Sequence, residues 1–430
     1  MQLLQQLDRR DWTSVLQRPA KDLSQLQSPV KEIMQAVRDG GDAAVRDFTA
    51  RFDGVEVDSL RVPQEQLAKA GQQLSSDLRE AIQIAKANIE AFHRAQLTNP
   101  QPLETMPGVS CWRKQVGIDK VGLYIPGGTA PLFSSVLMLA IPAVIAGCQE
   151  IVLCSPPQKD GQIHPATLYA AHLCGLPQVY RIGGAQAIAA MTYGTESVPA
   201  VYKLFGPGNA YVTVAKQLAF LDGLAIDMPA GPSEVLVCAD QGANPAFVAA
   251  DLLSQAEHGS DSQVVLLTFD LAHSKAILQE IDRQLAALPR REMAAASLSN
   301  SVAIVVNSQE EAAELINHYA PEHLILSMTN ARQFAESIRN AGSIFLGYYT
   351  PESVGDYASG TNHTLPTYGY ARQYSGVSLD SFVKQITFQE LTPAGLQSLG
   401  PAVATLAEAE GLAAHRSAVS LRLAALKVKP

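Results

Sequence analysis

Four short apolar strands, three of them ending in a glycine turn, constrain this chain most. Val121-Gly-Leu-Tyr124 runs into Ile125-Pro-Gly-Gly128. Ile151-Val-Leu-Cys154 ends at Ser155-Pro-Pro157. Gln178-Val-Tyr-Arg181 leads to Ile182-Gly-Gly184, and Val201-Tyr-Lys-Leu-Phe205 leads to Gly206-Pro-Gly-Asn209. Ala- and Leu-rich helical segments separate them. Strands of this length alternating with helices require βαβ units, and hence a parallel sheet with its turns on one edge. That edge is where α/β proteins bind ligands, and glycines there admit a phosphate to a helix N-terminus. The turns do not complete the dinucleotide fingerprint, because Gly206-Pro-Gly208 lacks the third glycine. On motif alone they are nucleotide turns or simply tight strand-to-helix turns.

A second strand series follows Gly231-Pro-Ser-Glu234: Val235–Cys238, Gln263–Leu267, Val302–Val306, Leu324–Leu326 and Ser343–Leu346. It predicts a second doubly wound sheet. The expected fold is α/β, with two doubly wound, incomplete Rossmann-like parallel-sheet domains, a helical N-terminal region and a helical C-terminal tail. The expected boundaries are an N-terminal helical arm over 1–20 and a first α/β domain over 21–125 and 235–377. An inserted second α/β domain spans 126–234, and the tail spans 378–430. Within the N-terminal region, Ser28-Pro29 opens a helix that breaks at Gly40-Gly41, and another follows to about Phe52. A long amphipathic stretch starts at Pro63-Gln64. His93 on it reads as a half-buried structural histidine.

The 430 residues carry 47% hydrophobic and 17% charged residues, enough apolar material for two cores. The net charge of −9 argues against nucleic acid or an anionic membrane as partner. The five cysteines, Cys111, Cys148, Cys154, Cys174 and Cys238, form no CxxC and read as reduced thiols of a cytoplasmic protein. The N-terminal segment shows no apolar core of signal-peptide length, and the apolar run around 135–147 is short for a bilayer and contains Pro142.

The second series carries the candidate chemistry. In Asp251-Leu-Leu-Ser-Gln-Ala-Glu-His-Gly259, Gln255 and His258 are three apart on one helix face near a Gly259 stop, with Glu257 off that face. A histidine beside a side-chain carbonyl is either a metal-holding pair or a structural one. Pro321-Glu322-His323 stands at a turn before a strand, as an acid–base pair or a polar turn. The loop from Ser353 to Pro366 is polar, with Asp356 as a possible ligand and His363 as a possible substrate contact. In the tail, Glu410 and His415 flank Gly411. On one unbroken helix they would lie about 140° apart, so a break at the glycine is needed for both to face one pocket.

In this order the pieces resemble the histidinol dehydrogenase family over nearly the whole chain. The resemblance is carried by Gly122-Leu-Tyr-Ile-Pro-Gly-Gly128, Gly206-Pro-Gly-Asn-Ala-Tyr211, Gly231-Pro-Ser-Glu234, Ser254-Gln-Ala-Glu-His-Gly259, Ala320-Pro-Glu-His-Leu324 and Gly355-Asp-Tyr-Ala-Ser-Gly-Thr-Asn-His363. It implies oxidation of L-histidinol to L-histidine through an aldehyde, with NAD and Zn²⁺, by a cytoplasmic homodimer at the end of histidine biosynthesis. By position it implies Gln255, His258, Asp356 and His415 as zinc ligands and Glu322 with His323 as the catalytic pair. Tyr124, Gln186 and Asn209 become NAD contacts. Ser233, His323 and Glu410 join the ligands in holding substrate, and the site is expected to be shared between two chains. A zinc hydrolase using Glu322 to activate water is the competing reading, disfavoured by the glycine turns and the lack of HExxH.

Overall fold

The structure, a computed structural model, describes residues 1–19, 23–127, 131–228 and 231–428. Gly128 of the first glycine turn and the expected domain edge at 20/21 fall outside those residues. The described chain forms two compact units, 1–95 with 118–382 and 96–117 with 383–430.

The first unit is α/β and contains both parallel sheets. In the five-stranded sheet the order is Gln178–Arg181, Glu150–Ser155, Lys120–Tyr124, Lys203–Phe205, Ala225–Ile226, all parallel. The chain winds outward from Lys120–Tyr124 on one side, then crosses back to its other side. The switch point therefore lies between Lys120–Tyr124 and Lys203–Phe205. In the six-stranded sheet the order is Gln2–Gln5, Val302–Val305, Gln263–Thr268, Glu234–Ala239, His323–Ser327, Ser343–Leu346. It winds the same way about Glu234–Ala239.

Each sheet is buried on both faces, as its continuous apolar strands require. In the five-stranded sheet Leu123 and Leu153 enter one core and Val152 and Cys154 the other. In the six-stranded sheet Leu236 and Cys238 face one core and Val235 and Val237 the opposite one.

Four expectations differ from what is seen. Gln2–Gln5 is a strand pairing with Val302–Val305, where a helical arm was expected. An edge strand with polar ends has no period of its own to announce it. Lys120–Tyr124 is the central strand of the five-stranded sheet, so that sheet begins before residue 126. The N-terminal helices cover this same sheet: Val30, Ile33 and Val37 pack with Ile188, and Ile82 and Ile89 with Val136 and Ile141. Finally, Val383–Leu391 in the expected helical tail is a strand.

The helix Gln27–Asp53 has its predicted break at Gly41, whose φ of 55° and ψ of −138° leave the helical region. The amphipathic stretch after Pro63 is interrupted, giving helices Gln64–Lys69 and Ser76–Arg94. His93 is fully buried, with Nδ1 2.8 Å from the Ile89 carbonyl, a structural role.

The second unit is a three-stranded antiparallel sheet, Val383–Leu391, Val109–Gly117, Leu103–Met106, followed by a helical hairpin, Pro393–Ala409 and Ala413–Val428. Gly411 (φ 73°) makes the expected break between the helices. Glu410 and His415 stand on either side of it, both exposed.

Candidate active site

A cavity of about 160 Å³ in the first unit collects most of the candidates. Ser233, Gln255, His258, Glu322, His323 and Asp356 all line it, and so does His363. It is smaller than the ~300–1,000 Å³ of drug-sized sites, which suits a small polar molecule.

The position of Glu322 and His323 follows from the fold. Helix Gln309–Tyr319 stops at Ala320, held at a left-handed φ of 54°. Pro321 then delivers Glu322 to the amino end of the strand His323–Ser327. The backbone here is pressed against Gly342, where a Cβ would lie 2.5 Å from the Glu322 carbonyl oxygen. Both side chains are buried, with His323 Nδ1 3.6 Å from Glu322 Oε2 and Nε2 3.3 Å from Asp356 Oδ1. Burial works against the imidazolium, but Glu322 and Asp356 outweigh it and hold the His323 proton tightly. Burial raises the Glu322 carboxyl, and the His323 charge partly offsets this. A carboxyl moved upward in this way suits a group that exchanges protons at neutral pH.

Glu322 is anchored from behind. Its Oε2 accepts the Glu234 N–H at 2.9 Å, while its own N–H donates to Glu234 Oε1 at 3.2 Å. Glu234 in turn is paired with the Arg18 guanidinium, whose Nη2 lies 2.8 Å from Oε1 and also donates to the Tyr319 carbonyl at 2.8 Å. One Glu322 oxygen is thereby fixed and the other is left uncommitted.

Gln255 ends the helix Pro245–Ala256, and His258 follows one turn later. Gln255 is buried, whereas His258 is exposed at the cavity mouth. The Gln255 amide is satisfied when its nitrogen donates to Glu352 Oε1 at 2.8 Å and its oxygen, 2.9 Å from the Glu234 nitrogen, shares that N–H with Glu322 Oε2. Glu352, on the short helix Glu352–Tyr357, is itself 1% exposed and pushed up to about 8 by burial. It also accepts from Ser254 Oγ at 3.1 Å. Sequence reasoning missed Glu352. Its only signal was its spacing, four residues before Asp356 on the same helix face.

As donors, the Gln255 amide oxygen, His258 and Asp356 fit Zn²⁺: two neutral groups and one carboxylate, leaving the site cationic. They make three where zinc takes four. Among the described residues no three His, Cys, Asp or Glu side chains are gathered to hold a metal. The cavity lining comes from the first unit alone; Glu410 and His415 belong to the second.

The glycine turns lie at the carboxyl edge of the five-stranded sheet, and the Gly206 turn reaches the same cavity, which Gly206, Pro207, Lys216 and Asp227 also line. At Gly206, φ is 125° and a Cβ would fall 2.0 Å from the Tyr124 carbonyl oxygen, so only glycine fits. A buried ion pair clamps the same turn. Lys216 Nζ donates to the Gly206 carbonyl at 2.9 Å and pairs with Asp227 Oδ1 at 2.5 Å, while Asp227 Oδ2 accepts the Gly206 N–H at 2.9 Å. Asn209 is exposed and caps the helix Ala210–Leu221 through Val212 N–H at 3.1 Å. Tyr124 is buried, and its hydroxyl accepts the Gly184 N–H at 3.1 Å. Gln186 is 1% exposed, yet neither amide atom has a partner. Such an orphaned amide fits a site awaiting a polar ligand.

No cysteine is among the residues lining the cavity. Burial pushes Cys148 and Cys174 up to about 12, and Cys154 and Cys238 higher still. These four are held as thiols, the opposite of an activated nucleophile.

Comparison with known proteins decides the family. The histidinol dehydrogenase family model matches residues 16–423. The chain belongs to the histidinol dehydrogenase family. It is 58% identical over 427 residues to the histidinol dehydrogenase of Bacteroides thetaiotaomicron, covering 99% of this chain and 100% of that one. It is 53% identical over 428 residues to that of Salmonella typhimurium, covering 97% and 98%. The crystal structure of histidinol dehydrogenase from Elizabethkingia anophelis superposes with a TM-score of 0.98 at 51% identity, over 99% of both chains.

Proposed function

We propose that this chain catalyses the zinc- and NAD-dependent, four-electron oxidation of L-histidinol to L-histidine through the aldehyde, the last step of histidine biosynthesis, in the cytoplasm. The observation that carries the reading is the buried Glu322–His323 pair in one small cavity with Gln255, His258 and Asp356. Family membership supports it throughout.

The residues divide the work. Gln255, His258 and Asp356, with His415, would hold zinc; when bound it supplies a cationic anchor for the substrate's amine and imidazole nitrogens. Ser233 and Glu410 complete the grip on substrate. Tyr124, Gln186 and Asn209 would hold NAD, which would accept one hydride, and with it two electrons, in each oxidation. His323 takes the carbinol proton as the alcohol becomes the aldehyde. An Asp356 carboxylate engaged as a ligand pulls less on the His323 proton, which frees the imidazole to act as base. Glu322 then removes a proton from water as the oxygen adds to the aldehyde carbon, while protonated His323 returns its proton to the carbonyl oxygen, forming the gem-diol and freeing the imidazole. His323 accepts the hydroxyl proton of that diol in the second oxidation. Four thiols held protonated by burial agree with a water route rather than a thiohemiacetal.

A homodimer with a shared site completes this reading. The second unit leaves Ile386, Phe388, Leu406 and Leu421 exposed, apolar surface of the kind a second copy covers. Its partner's Glu410 and His415 would enter the cavity. Among the described residues no helix is long and apolar enough to cross a membrane.

The direct test is the NADH absorbance band when zinc-loaded protein meets histidinol and NAD; no NADH sinks the reading. For the shared site, inactive His258→Ala and His415→Ala chains are refolded together. Sharing in trans gives mixed dimers with one intact site, and activity returns in proportion to them. Purified mixed dimers without activity exclude it.

A further inference from the structure

In a doubly wound dinucleotide sheet, the acid that meets the adenosine ribose stands at the end of the strand next to the first one. Here that neighbour is Glu150–Ser155, and it runs into Ser155-Pro156-Pro157; the next acid, Asp160, also lines the cavity but is exposed and already accepts the Gln162 N–H at 2.9 Å. A carboxylate reaches the place by another route. Asp53, the last residue of the helix Gln27–Asp53, lines a second cavity of about 590 Å³ with Gly127, Ser155, Pro156 and His164. This cavity opens at the carboxyl ends of Lys120–Tyr124 and Glu150–Ser155. A Cβ placed on Gly183 would lie 3.4 Å from Asp53 Oδ1 and 2.5 Å from Pro156, so this glycine keeps the space beside the carboxylate open. Tyr124 and Gln186 flank the same Gly183-Gly184 turn.

Nothing in the fold rewards an acid at this position. Asp53 Oδ2 is buried without a partner. Burial pushes its carboxyl up to about 6. It also closes a helix at its C-terminal end, capped by Gly54 in the left-handed region, where the helix dipole disfavours negative charge. The carboxylate and the last helix carbonyls all need hydrogen-bond donors. A vicinal diol supplies two.

Resting on the NAD reading above, we propose that Asp53 accepts the 2′- and 3′-hydroxyls of the adenosine ribose and is the residue that selects NAD over NADP. A 2′-phosphate removes one donor and sets a second anion against the Asp53 carboxylate; Lys159 lines the same cavity but gives that carboxylate no ion pair. The cost falls on NADP alone.

The experiment compares kcat/KM for NAD and NADP in the wild type and in Asp53→Asn, with histidinol as substrate. A hydrogen bond to a charged group contributes about 1.5–3 kcal/mol, roughly a 10–150-fold effect on affinity. The NAD KM of Asp53→Asn therefore rises about tenfold or more at little change in kcat, and the NAD/NADP preference falls by at least as much. Because the native carboxylate is unpaired, the variant melts no lower than the wild type, which a structural role for Asp53 would not give. An unchanged preference in folded Asp53→Asn overturns the inference, provided the wild type turns over with NAD; a wild type that makes no NADH removes the underlying reading instead. If the variant fails to fold, competitive inhibition of the wild type decides. ADP must bind more tightly than its 2′-phosphorylated counterpart, adenosine 2′-phosphate 5′-diphosphate, and equal inhibition overturns the proposal.

Discussion

In the five-stranded sheet the glycine turns sit at the carboxyl ends of the strands, after Tyr124, Arg181 and Phe205. In the six-stranded sheet Ser233 and Glu322 sit just before the strands Glu234–Ala239 and His323–Ser327, and His323 opens the second of them, all at the amino ends. The two sheets wind alike, so winding does not decide which edge carries chemistry; the helix ends do. A carboxyl edge presents helix N-termini, such as those of Gly184–Tyr193 and Ala210–Leu221, whose N–H groups and dipole attract anions. An amino edge receives helix C-termini, such as that of Pro245–Ala256, and these favour cations. The helix ends thus favour an anion at the carboxyl edge of the first sheet and a cation at the amino edge of the second, the fields that the proposed dinucleotide and metal would need.

Breaking this division begins with His323→Ala. We expect kcat to fall ~10²–10⁴-fold for histidinol and for its aldehyde alike, the usual worth of a general base, with the NAD KM within about twofold of wild type. A comparable rise in NAD KM would merge the two regions into one. Glu322→Gln sharpens the picture within the amino edge. Single-turnover oxidation of the aldehyde should slow on the order of 10²-fold more than that of the alcohol, because only the former needs activated water. Equal losses would remove Glu322 from that role. The smallest effect is expected from Glu352→Ala, which strips the acceptor that orients the Gln255 amide. Zinc affinity, read by competition with a chromophoric chelator, should weaken about 10–100-fold, as for other groups that orient a ligand. Unchanged zinc affinity would show that Gln255 needs no such support.

Much of the winding was legible in the sequence because glycine turns and strand-length apolar runs are local signals, and they delimited most strands of both parallel sheets. What escaped has a common cause. Gln2–Gln5 and Val383–Leu391 are stabilised by partners far along the chain, and their own residues, polar-ended or exposed, carry no period. The assignment of Lys120–Tyr124 to the five-stranded sheet rests on pairing, which composition does not encode. In the candidate site, Gln255, His258, Glu322, His323 and Asp356 stood out as chemistry-bearing residues near turns, and they line one cavity. Glu352, Lys216 and Asp227 did not stand out, since a lone charge in a helix or turn normally faces water. Only the fold reveals that these three are enclosed.

The clamp formed by Arg18 has a practical side. Its partner Glu234 lies 216 residues away, and Glu234 braces Glu322 through two backbone contacts. Both parallel sheets owe nearly all their strands to residues beyond 100, so a protease nick after residue 18 that released the leading peptide would leave a chain of nearly normal size and secondary structure. It would also leave a buried carboxylate stripped of its cation directly behind Glu322. The same cut would remove the edge strand Gln2–Gln5 and the core residues Trp12 and Leu16, so intact mass is a direct check that this support behind Glu322 is present.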